Sequence, residues 1–160
     1  MALKFSIITC SDTRTLADDA AGAALKELIS KEGHELVDHL VVKDDKEEIK
    51  SEILAQVNKG SDIVLTCGGT GLSLRDVTPD ATREVSDREV PGFGEAMRAY
   101  SMQFTHRAML SRATAGQIGT SLVINFPGSK KAAVENWEAI ADQFEHAIEM
   151  AHGGKHEQAK

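Results

Sequence analysis

The sequence lacks the long apolar runs and the leader pattern that membrane and secreted proteins require. No apolar run approaches the roughly 20 residues of a membrane-spanning helix. The N-terminal residues show no basic segment followed by a long apolar stretch and small residues, as a secretory signal would. We therefore expect a cytoplasmic protein with no membrane partner.

Positive charge is also scarce. The 18 lysines and arginines are outnumbered by 25 aspartates and glutamates, which gives a formal net charge of -7 at pH 7. The basic residues are scattered, whereas nucleic-acid binders gather them on one face. We expect no nucleic-acid partner, and an anionic ligand would need a local pocket of backbone N–H groups at a helix N-terminus or a glycine-rich loop.

Cysteine is limited to Cys10 and Cys67, and both follow apolar runs, where a buried thiol is more common than a disulfide. Neither cysteine has a histidine nearby in sequence, which disfavours cysteine nucleophile chemistry. The six histidines form no metal-binding pattern. His152 and His156 have i, i+4 spacing but lack the acidic partner of an HExxH motif.

The 160 residues, 41% of them hydrophobic, fit one globular domain of ordinary composition. We assign the domain to residues 1–152 and expect residues 153–160 to form a polar, frayed tail. The sequence contains no internal repeat, low-complexity tract or interdomain linker.

Apolar residues alternate between strand-like runs and helical spacing along the chain. The predicted strands are residues 3–9, 36–42, 63–66, 113–117 and 121–126. The predicted helices are residues 17–29 with Asp18 and Asp19 in the first turn, 49–57, a helix capped by Thr78 with Pro79 first, 92–104, and a long closing helix from 129 to 151. Alternation of this kind predicts an α/β fold with a mostly parallel sheet and helices on both faces.

The most informative loop follows the third strand and reads Thr-Cys-Gly-Gly-Thr-Gly at residues 66–71. Three glycines in four positions remove side chains, so that backbone N–H groups could approach a phosphate. A tight turn that needs positive φ angles is an equal alternative. The loop matches neither GxGxxG nor GxxxxGK[ST], so a dinucleotide site or P-loop is not supported.

Two further strand ends could contribute to a ligand site, because ligands of such sheets bind beyond the carboxyl ends of the strands. Residues 125–130 lead from a strand into a helix N-terminus, where Ser129 could serve a ligand or, as is more common, simply cap the helix. Residues 9–13 end the first strand and carry hydroxyls that could bind ligand oxygens or form local turns.

Asp44 and Asp76 each follow a strand at the predicted carboxyl edge. Together they could hold a magnesium ion that bridges nucleotide phosphates. The alternatives are structural. Asp44 begins an acidic run that suits a helix N-terminus, and Asp76 could form a surface ion pair with Arg75.

Several segments together resemble the MogA/MoaB family of molybdopterin adenylyltransferases and molybdopterin-binding domains, and they run in family order across nearly the whole chain. The matching segments are residues 9–12, 67–71, 75–82, 87–95, 110–112 and 125–129. The resemblance implies a three-layer α/β/α, MogA-like fold, with ATP, Mg²⁺ and molybdopterin bound at the strand ends.

The resemblance also implies roles for individual residues. Asp44 and Asp76 match two aspartates that are critical in active members, and both are candidate magnesium ligands here. The implied substrate-binding residues are Ser11, Asp12, Gly68, Gly69, Thr70, Gly71, Glu95, Ser111, Asn125, Pro127, Gly128 and Ser129.

The implied activity is transfer of AMP from ATP to the terminal phosphate of molybdopterin, by a homotrimer or hexamer that could meet other cofactor-biosynthesis proteins. Some members of the MoaB branch keep the fold without activity and lose the aspartate after the glycine loop. This chain retains Asp76 but has a MoaB-like Pro-Gly loop, so a noncatalytic molybdopterin carrier stays as the alternative. A generic nucleotide-binding regulator would leave the matching segments unexplained.

Overall fold

The computed structural model describes residues 1–154, and residues 155–160, which include His156 and most of the predicted tail, lie outside the described part. The strands are β1 Lys4–Cys10, β2 Glu35–Val42, β3 Ile63–Cys67, β4 Arg88–Glu89, β5 Ala115–Ile118 and β6 Ser121–Phe126. The helices are α1 Ala20–Lys31, α2 Lys46–Asn58, α3 Thr78–Val85, α4 Gly92–Met102, α5 Lys130–Ile140 and α6 Phe144–Ala151. Short 3-10 turns cover Leu16–Asp18, His106–Leu110 and Ala141–Gln143.

The strands form one sheet in the order β2-β1-β3-β6-β5-β4. Strands β2, β1, β3 and β6 are parallel, β5 runs antiparallel to β6, and β4 pairs antiparallel with β5. Only Gly119 and Thr120 separate β5 from β6, and two residues suffice for a hairpin but not for a parallel crossover. The prediction of a mostly parallel sheet is confirmed.

Alternate residues of the central strands point to opposite faces of the sheet, as the two-residue period of a strand requires. Ile7 and Leu65 belong to a core cluster that also contains buried residues of α1, α4, α5 and α6. Their neighbours Ile8 and Val64 belong to a second cluster, with residues of α2 and α3. The three-layer α/β/α arrangement is therefore confirmed.

The closing helix is the main error of the sequence prediction. The chain leaves α5 at Ile140, whose φ of -129° is not helical, and α6 begins at Phe144 after a 3-10 turn. The change of direction brings the Phe144 ring within 5.6 Å of Phe5 and 5.2 Å of Trp137, centroid to centroid. Both helices keep an apolar face, so the periodicity gave no sign of the break.

Two helix starts also differ from the prediction. Helix α1 begins at Ala20 instead of residue 17, because the Asp19 carboxylate accepts a hydrogen bond from the Gly22 N–H at 2.9 Å and acts as the N-cap. Helix α3 includes Thr78 as its first residue, with Val77 as the N-cap and Pro79 second. Within residues 1–154, no helix has both the length and the apolar character needed to cross a membrane.

Candidate active site at the carboxyl edge of the sheet

Four parallel strands end side by side and bring four distant loops together. Thr9 of β1 pairs with Cys67 of β3, and Cys67 pairs with Phe126 of β6. On the other side, Cys10 pairs with Val42 of β2. The loops at residues 11–13, 43–45, 68–76 and 127–129 therefore meet at one edge, and we call them the strand-end site.

The glycine loop lies so close to its neighbours that side chains would not fit. Gly68 has a φ of +96°, and a Cβ added there would lie 2.6 Å from the carbonyl oxygen of Cys10. A Cβ on Gly128, in the Pro-Gly loop, would lie 3.4 Å from the Gly68 Cα. The loop therefore needs glycine both for a tight turn and for close approach of three backbone segments. Its use as an anion cradle stays a prediction.

Asp12 and Asp44 are linked by their own backbones. The Asp12 N–H donates to Asp44 Oδ2, and the Asp44 N–H donates to Asp12 Oδ1, each at 3.1 Å. The Arg75 guanidinium then binds both oxygens of Asp12, with its Nη2 2.9 Å from each. This hydrogen-bonded pairing with Arg75 lowers the pKa of the Asp12 carboxyl, which is thus ionised at neutral pH.

The carboxylates of Asp44 and Asp76 are close enough for the charge of one to affect the pKa of the other. Burial raises the pKa of the Asp44 carboxyl, and the negative charges of Asp12 and Asp76 raise it further. Asp76 is fixed at the base of the loop, where its Oδ2 accepts a hydrogen bond from the Ser73 N–H at 3.2 Å. A Cβ on Gly71 would lie 2.9 Å from that same Oδ2. The carboxylates predicted to act together thus lie near one glycine loop.

At this edge Asp44 Oδ1 is buried without a hydrogen-bond partner among the described residues, and beside it lies the buried Thr78 hydroxyl, whose hydrogen bond lowers the pKa of the Cys10 thiol. A Cβ placed on Gly69 would lie 3.4 Å from the Asp44 oxygen and 2.2 Å from the Thr78 hydroxyl, so both border the same short piece of the glycine loop. Unpartnered buried oxygens are costly, and oxygen donors are what Mg²⁺ prefers.

The residues present fit a magnesium ion of the nucleotide-bridging kind. In the part of the chain that the structure describes, no group of three His, Cys, Asp or Glu side chains could enclose a metal ion. A magnesium ion held by one or two carboxylates, with phosphate oxygens and waters as its other ligands, needs no such enclosure. Asp44 and Asp76 are the residues that would hold it.

Comparison with known proteins identifies the family of the chain. Residues 6–146 match the family described as "Probable molybdopterin binding domain". The chain belongs to the MogA/MoaB family of molybdenum cofactor biosynthesis proteins. It is 44% identical to molybdenum cofactor biosynthesis protein B of Bacillus cereus over 133 residues, 81% of this chain and 79% of that protein.

Two other relatives bear on structure and activity. A crystal structure of a molybdenum cofactor biosynthesis protein B superposes with a TM-score of 0.91 at 39% identity, covering 96% of this chain and 98% of that one. The molybdopterin adenylyltransferase of Helicobacter pylori is 32% identical over 160 residues, 94% of this chain and 89% of that protein. The family resemblance drawn from the sequence segments is confirmed.

Arg112 is a residue of this family site that the sequence interpretation did not select, although it lies in a matching segment. Its backbone N–H donates to the Thr70 carbonyl at 2.8 Å, and its Nε donates to the Gly71 carbonyl at 3.0 Å. Its guanidinium also donates to the Asp76 carbonyl and to the carboxylate of Asp80. Arg112 therefore fastens both ends of the glycine loop, a role that only the folded chain reveals.

Three predicted substrate-binding residues use their side chains within the protein. The Asn125 amide is fully buried, donates to the hydroxyls of Thr66 and Thr82 at 3.0 and 2.8 Å, and accepts from the Thr114 N–H. The Ser129 hydroxyl caps α5 by accepting from the Ala132 N–H. The Ser11 hydroxyl accepts from backbone N–H groups at residues 13 and 14. These contacts favour positioning roles for all three.

Of the remaining predicted residues, Pro127 belongs to the strand-end site, whereas Ser111 and Glu95 lie outside its four loops. Ser111 and Pro127 line a cavity of about 190 Å³ between α4, α5 and the 3-10 turn before β5. Arg98 also lines this cavity and donates to the Ser111 carbonyl at 3.2 Å. Glu95 is exposed in the first turn of α4 and makes no side-chain hydrogen bond or ion pair within the described range. The structure does not join Glu95 to the strand-end site.

Proposed function

We propose that this chain is a molybdopterin adenylyltransferase, which transfers AMP from ATP to the terminal phosphate of molybdopterin. The observation that carries the proposal is the position of Asp44 and Asp76, two interacting carboxylates beside a glycine loop. The similarity to the Helicobacter pylori protein of that name supports it.

The reaction needs positioning and charge neutralisation more than it needs a base. An oxygen of the pterin phosphate forms a bond to the α-phosphorus of ATP, while the bond from that phosphorus to the bridging oxygen breaks and pyrophosphate leaves with the electron pair. Because the attacking phosphate is already an anion, no side chain has to remove a proton. Backbone N–H groups of the glycine loop are suited to stabilising the charge that develops on the α-phosphate.

A magnesium ion bound by Asp44 and Asp76 would neutralise charge on the phosphates. Hydrogen bonds within the protein hold both carboxylates in position independently of any ligand. Asp44 is fixed by the Asp12 N–H, and Asp76 by the Ser73 N–H. The Arg112 guanidinium keeps the loop between them in place through the Gly71 carbonyl. Preorganised groups of this kind lower the cost of reaching the transition state.

The rival function is molybdopterin binding without nucleotide turnover. It is favoured by the name of the 44% identical Bacillus cereus relative, molybdenum cofactor biosynthesis protein B, which states a pathway and no reaction. A carrier would bind molybdopterin in the same cleft and would require neither ATP nor Mg²⁺.

One assay separates the two functions. Purified protein is incubated with molybdopterin, ATP and Mg²⁺, and both the AMP adduct and released pyrophosphate are measured. An adenylyltransferase forms both products in equal amounts, and Asp76→Asn should abolish them while molybdopterin binding persists. Asp142→Asn, which alters an exposed carboxylate of the 3-10 turn after α5, is the matched control. Full activity of Asp76→Asn, or binding with no adduct in the unmodified protein, would exclude this mechanism.

We also propose that residues 1–152 act as one cytoplasmic molybdopterin-binding domain that assembles as a trimer or as a dimer of trimers. An apolar groove of about 620 Å³ next to α4 and α6, lined by Val90, Phe93 and Met150, offers surface for such contacts. Sedimentation equilibrium of the full chain measures the assembly, and a monomer at micromolar concentration would exclude it.

A further inference from the structure

Arg75 is a cation of the strand-end site in direct contact with one of its carboxylates, that of Asp12. Its side chain is 64% exposed, and its Nε and Nη2 both donate to the Asp12 carboxylate, at 3.1 and 2.9 Å. Asp12, Asp44, Asp45 and Asp76 together place four carboxylates at this edge. In the arrangement observed, the charge of Arg75 is directed to Asp12, away from any incoming ligand.

The geometry of this pair makes a change of partner easy. A guanidinium binds a carboxylate and a phosphate with the same two-pronged pattern of N–H donors. Because the ion pair is exposed, it contributes little to stability, so a ligand of higher charge can displace Asp12. Arg75 lies next to Asp76 in the glycine loop, which places it beside the predicted phosphate position.

A second observation concerns Asp44. Its Oδ1 is buried, has no hydrogen-bond partner among residues 1–154, and borders Gly69 beside the buried Thr78 hydroxyl, whose hydrogen bond lowers the pKa of the Cys10 thiol. The other oxygen of Asp44 accepts the backbone N–H of Asp12.

We infer that Arg75 exchanges partners when substrate binds, leaving Asp12 for the phosphates of a nucleoside triphosphate and freeing the Asp12 carboxylate to face the bound cation. This inference rests on the proposed function, because it assigns a further binding residue to the same site. In the free protein the Arg75–Asp12 pair keeps the acidic edge closed to cations that arrive without nucleotide.

Replacement of Arg75 should then lower the affinity for one ligand and raise the affinity for another. Magnesium with nucleotide should bind more weakly, because the phosphates lose a charged donor. Magnesium alone should bind more tightly, because Asp12 is no longer neutralised. A purely structural role of Arg75 would weaken both, since loss of a loop contact does not improve any site.

The test is isothermal titration calorimetry of the full chain, with MgCl₂ alone and with MgCl₂ plus α,β-methylene ATP, which resists transfer of AMP. For Arg75→Gln we expect nucleotide affinity to fall by about tenfold, as the loss of one charge-assisted hydrogen bond predicts. We expect affinity for Mg²⁺ alone to rise by about threefold, the equivalent of a surface ion pair. Arg83→Gln is the control, because Arg83 is also an exposed arginine in surface ion pairs, with Glu89 at 3.0 Å and with Asp80 at 4.0 Å.

The outcomes are distinct. If the unmodified chain binds the analogue and Arg75→Gln binds it equally well, the inference is wrong and the proposed function is unaffected. If Arg75→Gln loses affinity for both ligands, Arg75 has a structural role only, and the inference is again wrong. If the unmodified chain binds no nucleotide, the proposed function fails, and the exchange of partners fails with it.

Discussion

Asp12 and Asp44 each donate a backbone N–H to the carboxylate of the other, although 32 positions separate them in the sequence. The pair ties the loop after β1 to the loop after β2. As a result, the direction of the Asp44 carboxylate is set by two backbone segments, with little freedom left to its own side chain. The two acids also differ in character, because Arg75 lowers the pKa of Asp12 while burial raises that of Asp44.

Asp44→Asn should remove the charge of this group and keep its shape. We expect AMP transfer to fall by about 100-fold or more, the usual effect of losing a group that stabilises charge in a transition state. Initial rates with saturating ATP and Mg²⁺ measure this. Asp142→Asn is the control, because Asp142 is an exposed carboxylate in the 3-10 turn after α5, outside the strand-end site. Equal losses in both variants would show that Asp44 has no special role.

Gly69→Ala should destabilise the protein more than replacement of a glycine in open space. Gly69 has a φ of +68°, and an added Cβ would lie 2.2 Å from the Thr78 hydroxyl. Gly60 also has a positive φ, but nothing lies within 4 Å of its added Cβ. We expect the free energy of unfolding to fall by about 1 kcal/mol for Gly60→Ala, from backbone strain alone, and by about 3 kcal/mol for Gly69→Ala. Urea denaturation provides the comparison, and equal losses would contradict the observed packing.

Arg112→Lys should loosen the glycine loop while retaining the positive charge. Lysine has no planar fork, so it cannot bind the carbonyls of Gly71 and Asp76 and the carboxylate of Asp80 together. We expect a loss of about 1 to 2 kcal/mol in stability and a raised KM for ATP. Amide hydrogen exchange at residues 70–76 should become faster. Arg107→Lys, in the exposed 3-10 turn before β5, should leave this exchange unchanged.

The two thiols should be unreactive in the folded protein. Both are free and buried, as the sequence predicted. Burial raises the pKa of Cys10 from its ordinary 9.0 to about 12, and it raises that of Cys67 well above the ordinary value. Labelling with iodoacetamide at pH 9 should therefore proceed only through unfolding, and urea should accelerate it. Rapid labelling of the native chain at a rate independent of urea would contradict the burial of these groups.

The same thiols should make the protein sensitive to alkali. A raised pKa in the folded state means that the folded thiol keeps its proton at a pH where the unfolded thiol has lost it. The associated stability is fully present below the ordinary pKa of 9.0 and is lost as the pH rises toward about 12. Urea denaturation across this interval should show a falling free energy of unfolding, in proportion to the thiols that ionise on unfolding.

Predictions of elements succeeded where a local pattern determines the structure. The strands β1, β2, β3 and β6 were placed within one residue at most ends, because short apolar runs between turn residues leave few alternatives. Strand β4 contains only Arg88 and Glu89, both exposed, and exists because the edge of β5 is available for pairing. Two exposed charged residues carry no strand signal, and the pairing partner lies almost 30 positions away.

Site residues were likewise predicted where a local pattern marks them and missed where their role depends on distant contacts. Glycine-rich loops and acids after strands are visible in a sequence, so Gly68, Gly69, Asp44 and Asp76 were selected and lie at one edge. Arg112 was not selected, because its role depends on hydrogen bonds to carbonyl groups more than 30 positions away. Those contacts form only after the sheet has assembled, and no spacing of residues in the sequence predicts them.

The sequence alone determined the alternation of strands and helices, the meeting of the strand-end loops at one edge of the sheet, and the family, because each of these follows from local periodicity or from contiguous segments. The tertiary structure decided which groups are paired and which are unpartnered at that edge. It joined Asp12 to Asp44 and Arg75, it left one buried oxygen of Asp44 without a partner within residues 1–154, and it satisfied Asn125 internally. Such assignments depend on distances between residues remote in the chain, and only the packing of the whole sheet sets those distances.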